Sequence, residues 1–238
     1  MLIEMNHIHK QYRNKMVLND LSIQIEQGSI AGVLGPNSVG KTTLLNIMSG
    51  LVIPDSGEVF FEGGSVSDFK SHIGYVPQEI ALYHDLSVKD NFRFFSGVYG
   101  LNRDKSRDRM AYIYDIMALK DLHRMKIKNL SGGMKRRVNI GIELLKDPTV
   151  LIMDESTVGI DMGARKGIID MVRKLNEKGI TVIFTSHHMS ELESICTDFF
   201  FLNEGKIVLE GKKKAILGKD EKKRTLEDLY NDIYRFFE

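Results

Sequence analysis

Apolar residues change their spacing several times along the chain, and each change predicts an element. In LSIQIEQGSIAGVLG, residues 21–35, apolar and polar positions alternate and then give way to a wholly apolar run. Alternation marks a strand with one wet face, and the apolar run marks a strand buried on both faces. KTTLLNIMSG (41–50) reads as a helix closed by Gly50, and GEVFFEG (57–63) and HIGYVPQ (72–78) read as short strands. The middle of the chain changes character. Ser87 and Asp90 have the spacing of a capping box ahead of NFRFFSGVYG, and SRDRMAYIYDIMAL keeps a helical period, so residues 86–134 read as a helical insertion. Beyond it, TVLIMDE, ARKGIIDMVRKLNEKG, TVIFTSH and MSELESIC alternate strand and helix, and FFFLNEGKIVLEG reads as a closing hairpin. Such alternation favours an α/β fold with a mainly parallel sheet and helices on its faces. Ligands of these sheets bind beyond the carboxyl ends of the strands. The loop at Gly35, the pair Asp154-Glu155 and His187 all follow predicted strands and are expected to converge there.

Composition narrows the possibilities. A chain of 238 residues is long enough to bury a sizeable core. Lys and Arg number 33 against 32 Asp and Glu, which gives no support for a nucleic-acid partner. The lone Cys196 excludes an internal disulfide framework and a multi-cysteine zinc site, and reads as a small buried residue. No apolar stretch approaches the roughly 18 residues that span a bilayer. The start, MLIEMNHIHKQY, lacks the apolar region of a secretory signal. A cytoplasmic location is therefore expected, with any membrane role supplied through a partner. In GKKKAILGKDEKKR (211–224) a solvated surface is the preferred reading over attraction to anionic headgroups.

Three stretches carry the chemistry. GPNSVGKT fits the phosphate-loop pattern G-x-x-x-x-G-K-[ST], after a buried strand and before a helix, which is the setting that motif requires. The loop Gly35, Pro36, Asn37, Ser38, Val39, Gly40 and on to Thr43, whose backbone N–H groups (Pro36 has none) lead into a helix N-terminus, would surround phosphates. Lys41 would reach the β and γ phosphates of ATP, and Thr42 would ligate Mg2+. VLIMDE ends in two carboxylates: Asp154 suits the second half of the magnesium site, and Glu155, superfluous for one cation, is placed to polarise an attacking water. A third stretch, LSGGMKRR at 130–137, sets a serine N-cap and two glycines before a helix, where exposed N–H groups can approach an anion closely.

With these three motifs the sequence resembles the ATP-binding subunits of ABC transporters over nearly its whole length. The resemblance implies a P-loop NTPase (RecA-like) core with an N-terminal antiparallel β portion. It divides a single domain into a nucleotide-binding core (1–85 and 135–211), a helical signature-motif subdomain (86–134) and a basic stretch with a C-terminal helix (212–238). In that family two domains face each other head to tail, and the signature motif of one caps the ATP held by the other. Ser131, Gly132 and Gly133 would thus meet the γ-phosphate held by a second ATPase subunit, identical or different. The resemblance also assigns Tyr12 to stacking on adenine and Val17 to the nucleotide-binding set. It assigns Gln78 to the magnesium site and to relaying its state to a membrane permease subunit, His187 to the γ-phosphate, and Asp161 to the loop that crosses the dimer interface.

This sequence departs from the family pattern in three places. Ser38-Val39 replaces the common Gly-Ala or Gly-Ser inside the phosphate loop, Met134 replaces a glutamine, and Ser156 replaces the proline after Glu155. None removes a charge or a metal ligand, so hydrolysis is expected. DNFRFFSGVYGL, LSGGMKRRVNIG and the ending TLEDLYNDIYRFFE resemble the branch that exports drugs, antimicrobial peptides, lipids or polysaccharides. In that ending, Leu226, Leu229, Tyr230, Ile233 and Phe237 share one helical face, expected to pack on its own domain rather than on a second copy. Tyr83, Phe92, Phe94, Phe95 and Tyr99 are the candidate surface for docking the permease. The rival readings are an ATP-binding regulatory switch and a non-transport member of the superfamily. Intact Glu155 and His187 oppose the first, and the lack of long coiled coils or tandem cassettes opposes the second.

Overall fold

The computed structural model describes residues 1–218 and 224–235, with the side chains of 66–68 left aside. They form two compact units, one built from residues 1–70 and 181–238 and the other from residues 71–180. The first unit opens with strands β1 (Ile3–Tyr12), β2 (Lys15–Ile25) and β3 (Ile30–Leu34), helix α1 (Lys41–Met48), and strands β4 (Ser56–Phe61) and β5 (Gly64–Ser65). The second unit contains β6 (Ile73–Val76), α2 (Val88–Val98), α3 (Arg103–Ile116), α4 (Gly132–Glu143), β7 (Val150–Met153) and α5 (Met162–Glu177). The chain then returns to the first unit with β8 (Thr181–Phe184), α6 (Met189–Ile195), β9 (Asp198–Asn203), β10 (Lys206–Lys212), α7 (Lys213–Ile216) and α8 (Leu226–Arg235).

In the first unit β2-β1-β4-β5 form an antiparallel sheet, and β10-β9-β3-β8 form a second, mixed one. There β3 runs parallel to both β8 and β9, while β9 and β10 make the antiparallel hairpin expected from FFFLNEGKIVLEG. Every residue of β3 and β8 is buried, as two-faced coverage of parallel strands requires. Cys196 is buried too, and burial pushes its thiol pKa well up, as expected of a small core residue. In the second unit β6 and β7 pair in parallel, with Ile73 opposite Val150 and Val76 opposite Met153. Ser87 caps α2: the Asp90 N–H donates to Ser87 Oγ at 3.1 Å, while the Asp90 carboxylate accepts from that hydroxyl (2.6 Å) and not through the backbone bond of a full capping box. The Ser87 side chain thus satisfies one of the N–H groups that a helix start leaves without an intrahelical partner. The helical segment 86–134 lies within this unit.

Two expectations need correction. Phe92 is fully buried in contact with Tyr114, so it belongs to the core of the second unit and offers nothing to a docking partner. Tyr83 and Phe94 do remain exposed, edge to face at 4.7 Å. On α8, Leu226 and Leu229 are buried within the first unit, but Tyr230 and Ile233 are only half-buried. The fully packed residue of the last turn is Tyr234, one position further round the helix. Phe237 and lysines 219, 222 and 223 lie outside the described residues.

Candidate functional site

In the first unit the phosphate loop leaves the carboxyl end of β3 and runs into α1. Its bends need unusual backbone: Gly40, the N-cap of α1, has φ 113°, and Ser38 has φ 63°. Gly35 is fixed by contact rather than by conformation. A Cβ there would lie 2.6 Å from the Leu202 carbonyl oxygen and 2.8 Å from Val39 Cγ1. Lys41 is buried, and its ammonium donates to the carbonyls of Gly35 (2.8 Å) and Pro36 (3.0 Å), which hold it folded over the loop. Thr42 is exposed at the first turn of α1. Val17 stands against the loop, its carbonyl 3.0 Å from where a Cβ on Gly40 would sit. A cleft of ≈ 410 Å³ lies beside it, lined by Val17, Pro36, Asn37, Ser38 and Val39 among others. Tyr12 sits at the tip of the β1–β2 hairpin, opposite Lys15 and 46% exposed, with Lys10 Nζ 5.5 Å from its ring centre.

His187 follows β8, the parallel neighbour of β3, so it leaves the same sheet edge as the phosphate loop and is exposed there. The turn beneath it is organised by Ser186, whose hydroxyl donates to Glu191 Oε2 at 2.9 Å and accepts from the His188 N–H at 3.0 Å.

The second unit assembles the other half of the predicted set. Because β6 and β7 are parallel, Gln78 and the Asp154-Glu155 pair leave the same edge. Asp154 is 3% exposed, its N–H donates to the Val76 carbonyl at 3.0 Å, and the Tyr75 hydroxyl bonds its carboxylate. Burial, together with the Asp154 charge, pushes the Tyr75 phenol well above its usual range, so it stays a donor. Glu155 is half-buried at φ 44°, a left-handed conformation that costs a non-glycine residue roughly 1–2 kcal/mol. The turn after it is closed by Val158 N–H donating to the Glu155 carbonyl at 3.1 Å, and Ser156 inside it is fully buried.

The signature motif and Asp161 also meet within this unit. Ser131 is the N-cap of α4 and accepts from the Met134 N–H at 3.3 Å, while Asp161 is the N-cap of α5 and accepts from the Ala164 N–H at 2.9 Å. A Cβ on Gly133 would lie only 2.3 Å from the Ala164 Cβ, so the glycine is what lets the two helix starts touch. Ser131, Gly132 and Asp161 are exposed. The two helix starts differ in charge: α4 begins at the uncharged, exposed Ser131-Gly132, where a helix N-terminus favours an anion, whereas the N-terminus of α5 already carries the Asp161 carboxylate.

The family model described as ABC transporter matches residues 18–158. The chain belongs to that family. It is 40% identical over 222 residues to the linearmycin resistance ATP-binding protein LnrL of Bacillus subtilis (strain 168), covering 92% of this chain and 71% of that protein. It is 35% identical over 219 residues to the Nod factor export ATP-binding protein I of Burkholderia orbicola (strain AU 1054), covering 90% and 72%. Among solved structures, a dimeric post-hydrolysis state of an ATP-binding cassette bound to ADP and Pi superposes with a TM-score of 0.79 at 24% identity, covering 89% of this chain and 99% of that one. This ABC chain is an ATP-binding subunit with the P-loop NTPase fold. Among its described residues no helix is long and apolar enough to cross a membrane.

Magnesium fits the donor chemistry of the predicted set: the Thr42 hydroxyl, the Gln78 amide and the Asp154 carboxylate are all hard oxygen donors. No group of three or more His, Cys, Asp or Glu that could hold a metal occurs among the described residues.

One residue of the ABC chain that sequence reasoning passed over is Arg136. It is 2% exposed, and its guanidinium donates to the carbonyls of Pro77 (2.6 Å) and Gln78, so the signature helix grips the backbone of the glutamine loop. Burial pushes its pKa down to about 10, which leaves it charged at neutral pH. A second arginine beside Arg137 in KRR carries no distinctive sequence signal; only burial reveals it.

If Tyr12 stacks on adenine, Tyr12→Ala is expected to weaken ATP binding about ten- to hundredfold, since base–aromatic stacking is worth about 1–3 kcal/mol. Titration with a fluorescent ATP analogue measures it. An unchanged dissociation constant assigns the base to another residue.

Proposed function

We propose that this chain hydrolyses ATP with Mg2+ as one half of a head-to-tail ATPase dimer, and so drives export through a separate membrane permease. The observation that carries the reading is the exposure of Ser131 and Gly132 at the start of α4, a helix N-terminus suited to a phosphate presented by a second copy. Backbone N–H groups of 38–43 and Lys41 hold the β and γ phosphates. Mg2+, when bound, neutralises charge on those phosphates. Glu155 accepts the proton of the attacking water, His187 bonds the γ-phosphate, and Ser131 with Gly132 and Gly133 caps the nucleotide of the partner subunit. Loss of the γ-phosphate removes the bridge and reopens the dimer. Residues 86–134 form the helical subdomain, which in sequence interrupts the nucleotide-binding core, and exposed Phe94 within it and Tyr83 just before it face the permease.

Export of a drug, peptide, lipid or polysaccharide is supported by the motif spellings DNFRFFSGVYGL and LSGGMKRRVNIG. The names of the two relatives, one for resistance and one for export, point the same way. Isolation of the tagged chain from solubilised native membranes tests the proposal. A co-isolated polytopic subunit that raises ATP turnover is the expected result. A chain recovered only from the soluble fraction, with turnover unaffected by membranes, contradicts it.

A further inference from the structure

The base of the phosphate loop is touched by a residue from the far end of the chain. Tyr234, in the last turn of α8, is 8% exposed, and its hydroxyl donates to the Leu202 carbonyl at 2.9 Å with the Leu34 carbonyl a second acceptor at 3.4 Å. Leu34 is the last residue before the loop. Leu202 is the residue on which Gly35 rests, with the 2.6 Å approach that a Cβ would make to its carbonyl. The hydroxyl therefore clips together the two peptides that seat the loop's first glycine.

The rest of α8 is anchored without that hydroxyl. Leu226 and Leu229 are buried, and the Leu226 N–H donates to Glu193 on α6 at 2.8 Å. Thr225 and Asp228 cap the first turn through reciprocal bonds of 2.7 Å and 3.1 Å. We infer that Tyr234 is a positioning residue for nucleotide binding, holding the Leu34–Gly35 entry of the phosphate loop against Leu202 so that the loop amides are set before ATP arrives. Burial, with Tyr230 close by, raises its phenol pKa well above the ordinary value, so the donor persists across physiological pH. Because α6 begins just after His187, the same C-terminal helix touches the segments behind both phosphate-facing loops of the first unit.

The inference rests on reading residues 35–43 as the nucleotide loop, and the two are tested apart. Calorimetric titration of the full chain with ADP and magnesium establishes the loop's role in the parent. Tyr234→Phe, with Tyr230→Phe as a control on the same helix, is then titrated in the same way. A loss of affinity of about three- to tenfold is expected for Tyr234→Phe and none for the control, the size expected for one buried hydrogen bond. Hydrogen exchange of the nucleotide-free chain supplies an independent readout. Amides of 35–43 should exchange faster in Tyr234→Phe while those of 226–235 keep their protection. Unchanged affinity with unchanged loop exchange overturns the inference. So does faster exchange confined to α8, which would mark Tyr234 as a mere anchor of the helix. A parent chain that binds no ADP overturns the reading of the loop, and the exchange comparison still decides the role of Tyr234.

Discussion

Replacing Glu155 with Gln is expected to leave ATP binding intact and to lower turnover by about 10² to 10⁴, the usual cost of losing a general base. The amide keeps the size of the side chain and can occupy the same turn, closed by the Val158 N–H. What it loses is the charge that accepts a proton from water. With hydrolysis blocked and binding retained, ATP stays in place, so the altered chain should accumulate as an ATP-held dimer. Turnover assays and gel filtration with ATP and magnesium read the two effects together. Near-normal turnover would remove Glu155 from its role. Retained monomer with lost turnover would separate hydrolysis from clamping. The left-handed backbone at Glu155 gives a further reason to use an isosteric change: a residue that already occupies a costly conformation tolerates only substitutions that leave its turn unaltered.

Much of the fold was legible because the strands that matter are short and almost wholly apolar. IAGVL, VLIM and TVIF, four to five residues each and bounded by turn or polar residues, read as strands buried on both faces, and all three are. The N-caps at Ser87 and Ser131 were legible because a hydroxyl at a fixed offset does one local job. Phe92 was misplaced for the opposite reason. Five aromatics crowd residues 83–99, and helical periodicity alone does not say which of them the neighbouring helix covers. Tyr114, which covers Phe92, comes from α3, beyond the reach of local pattern.

The candidate site divides in the same way. Residues of the phosphate loop, the Asp154-Glu155 pair and the signature are readable as contiguous motifs. Side chains that hold those motifs in place are not, because their partners are backbone carbonyls distant in sequence: Arg136 grips residues 77 and 78, and Tyr234 grips residues 34 and 202. A carbonyl leaves no mark in the sequence. Ser38 shows a subtler limit. Its size suggests an easy exchange for glycine, yet its φ of 63° places it where a side chain costs roughly 1–2 kcal/mol. Composition describes the room available to a residue but not the backbone conformation it must adopt.

The second large effect concerns the sharing of sites between two copies, which is the centre of this account. Lys41→Ala removes the ammonium that the Gly35 and Pro36 carbonyls hold over the phosphate loop. Ser131→Arg places a bulky cation at the exposed start of α4. Each chain alone should lose nearly all turnover. When the two are mixed and the motifs serve opposite copies, a mixed dimer gathers both lesions into one site. Its other site takes Lys41 from the Ser131→Arg chain and Ser131 from the Lys41→Ala chain, and is intact. If both motifs served the nucleotide of their own chain, every site in the mixture would still carry a lesion. ATP-dependent dimerisation of the mixture is followed in parallel, because closure that requires ATP at both sites would suppress dimer as well as turnover. The measurement is the ATPase rate of the mixed chains against each parent at equal total concentration. The shared-site account predicts a rate clearly above both parents; dimers that form with ATP yet turn over no faster than the parents would contradict it.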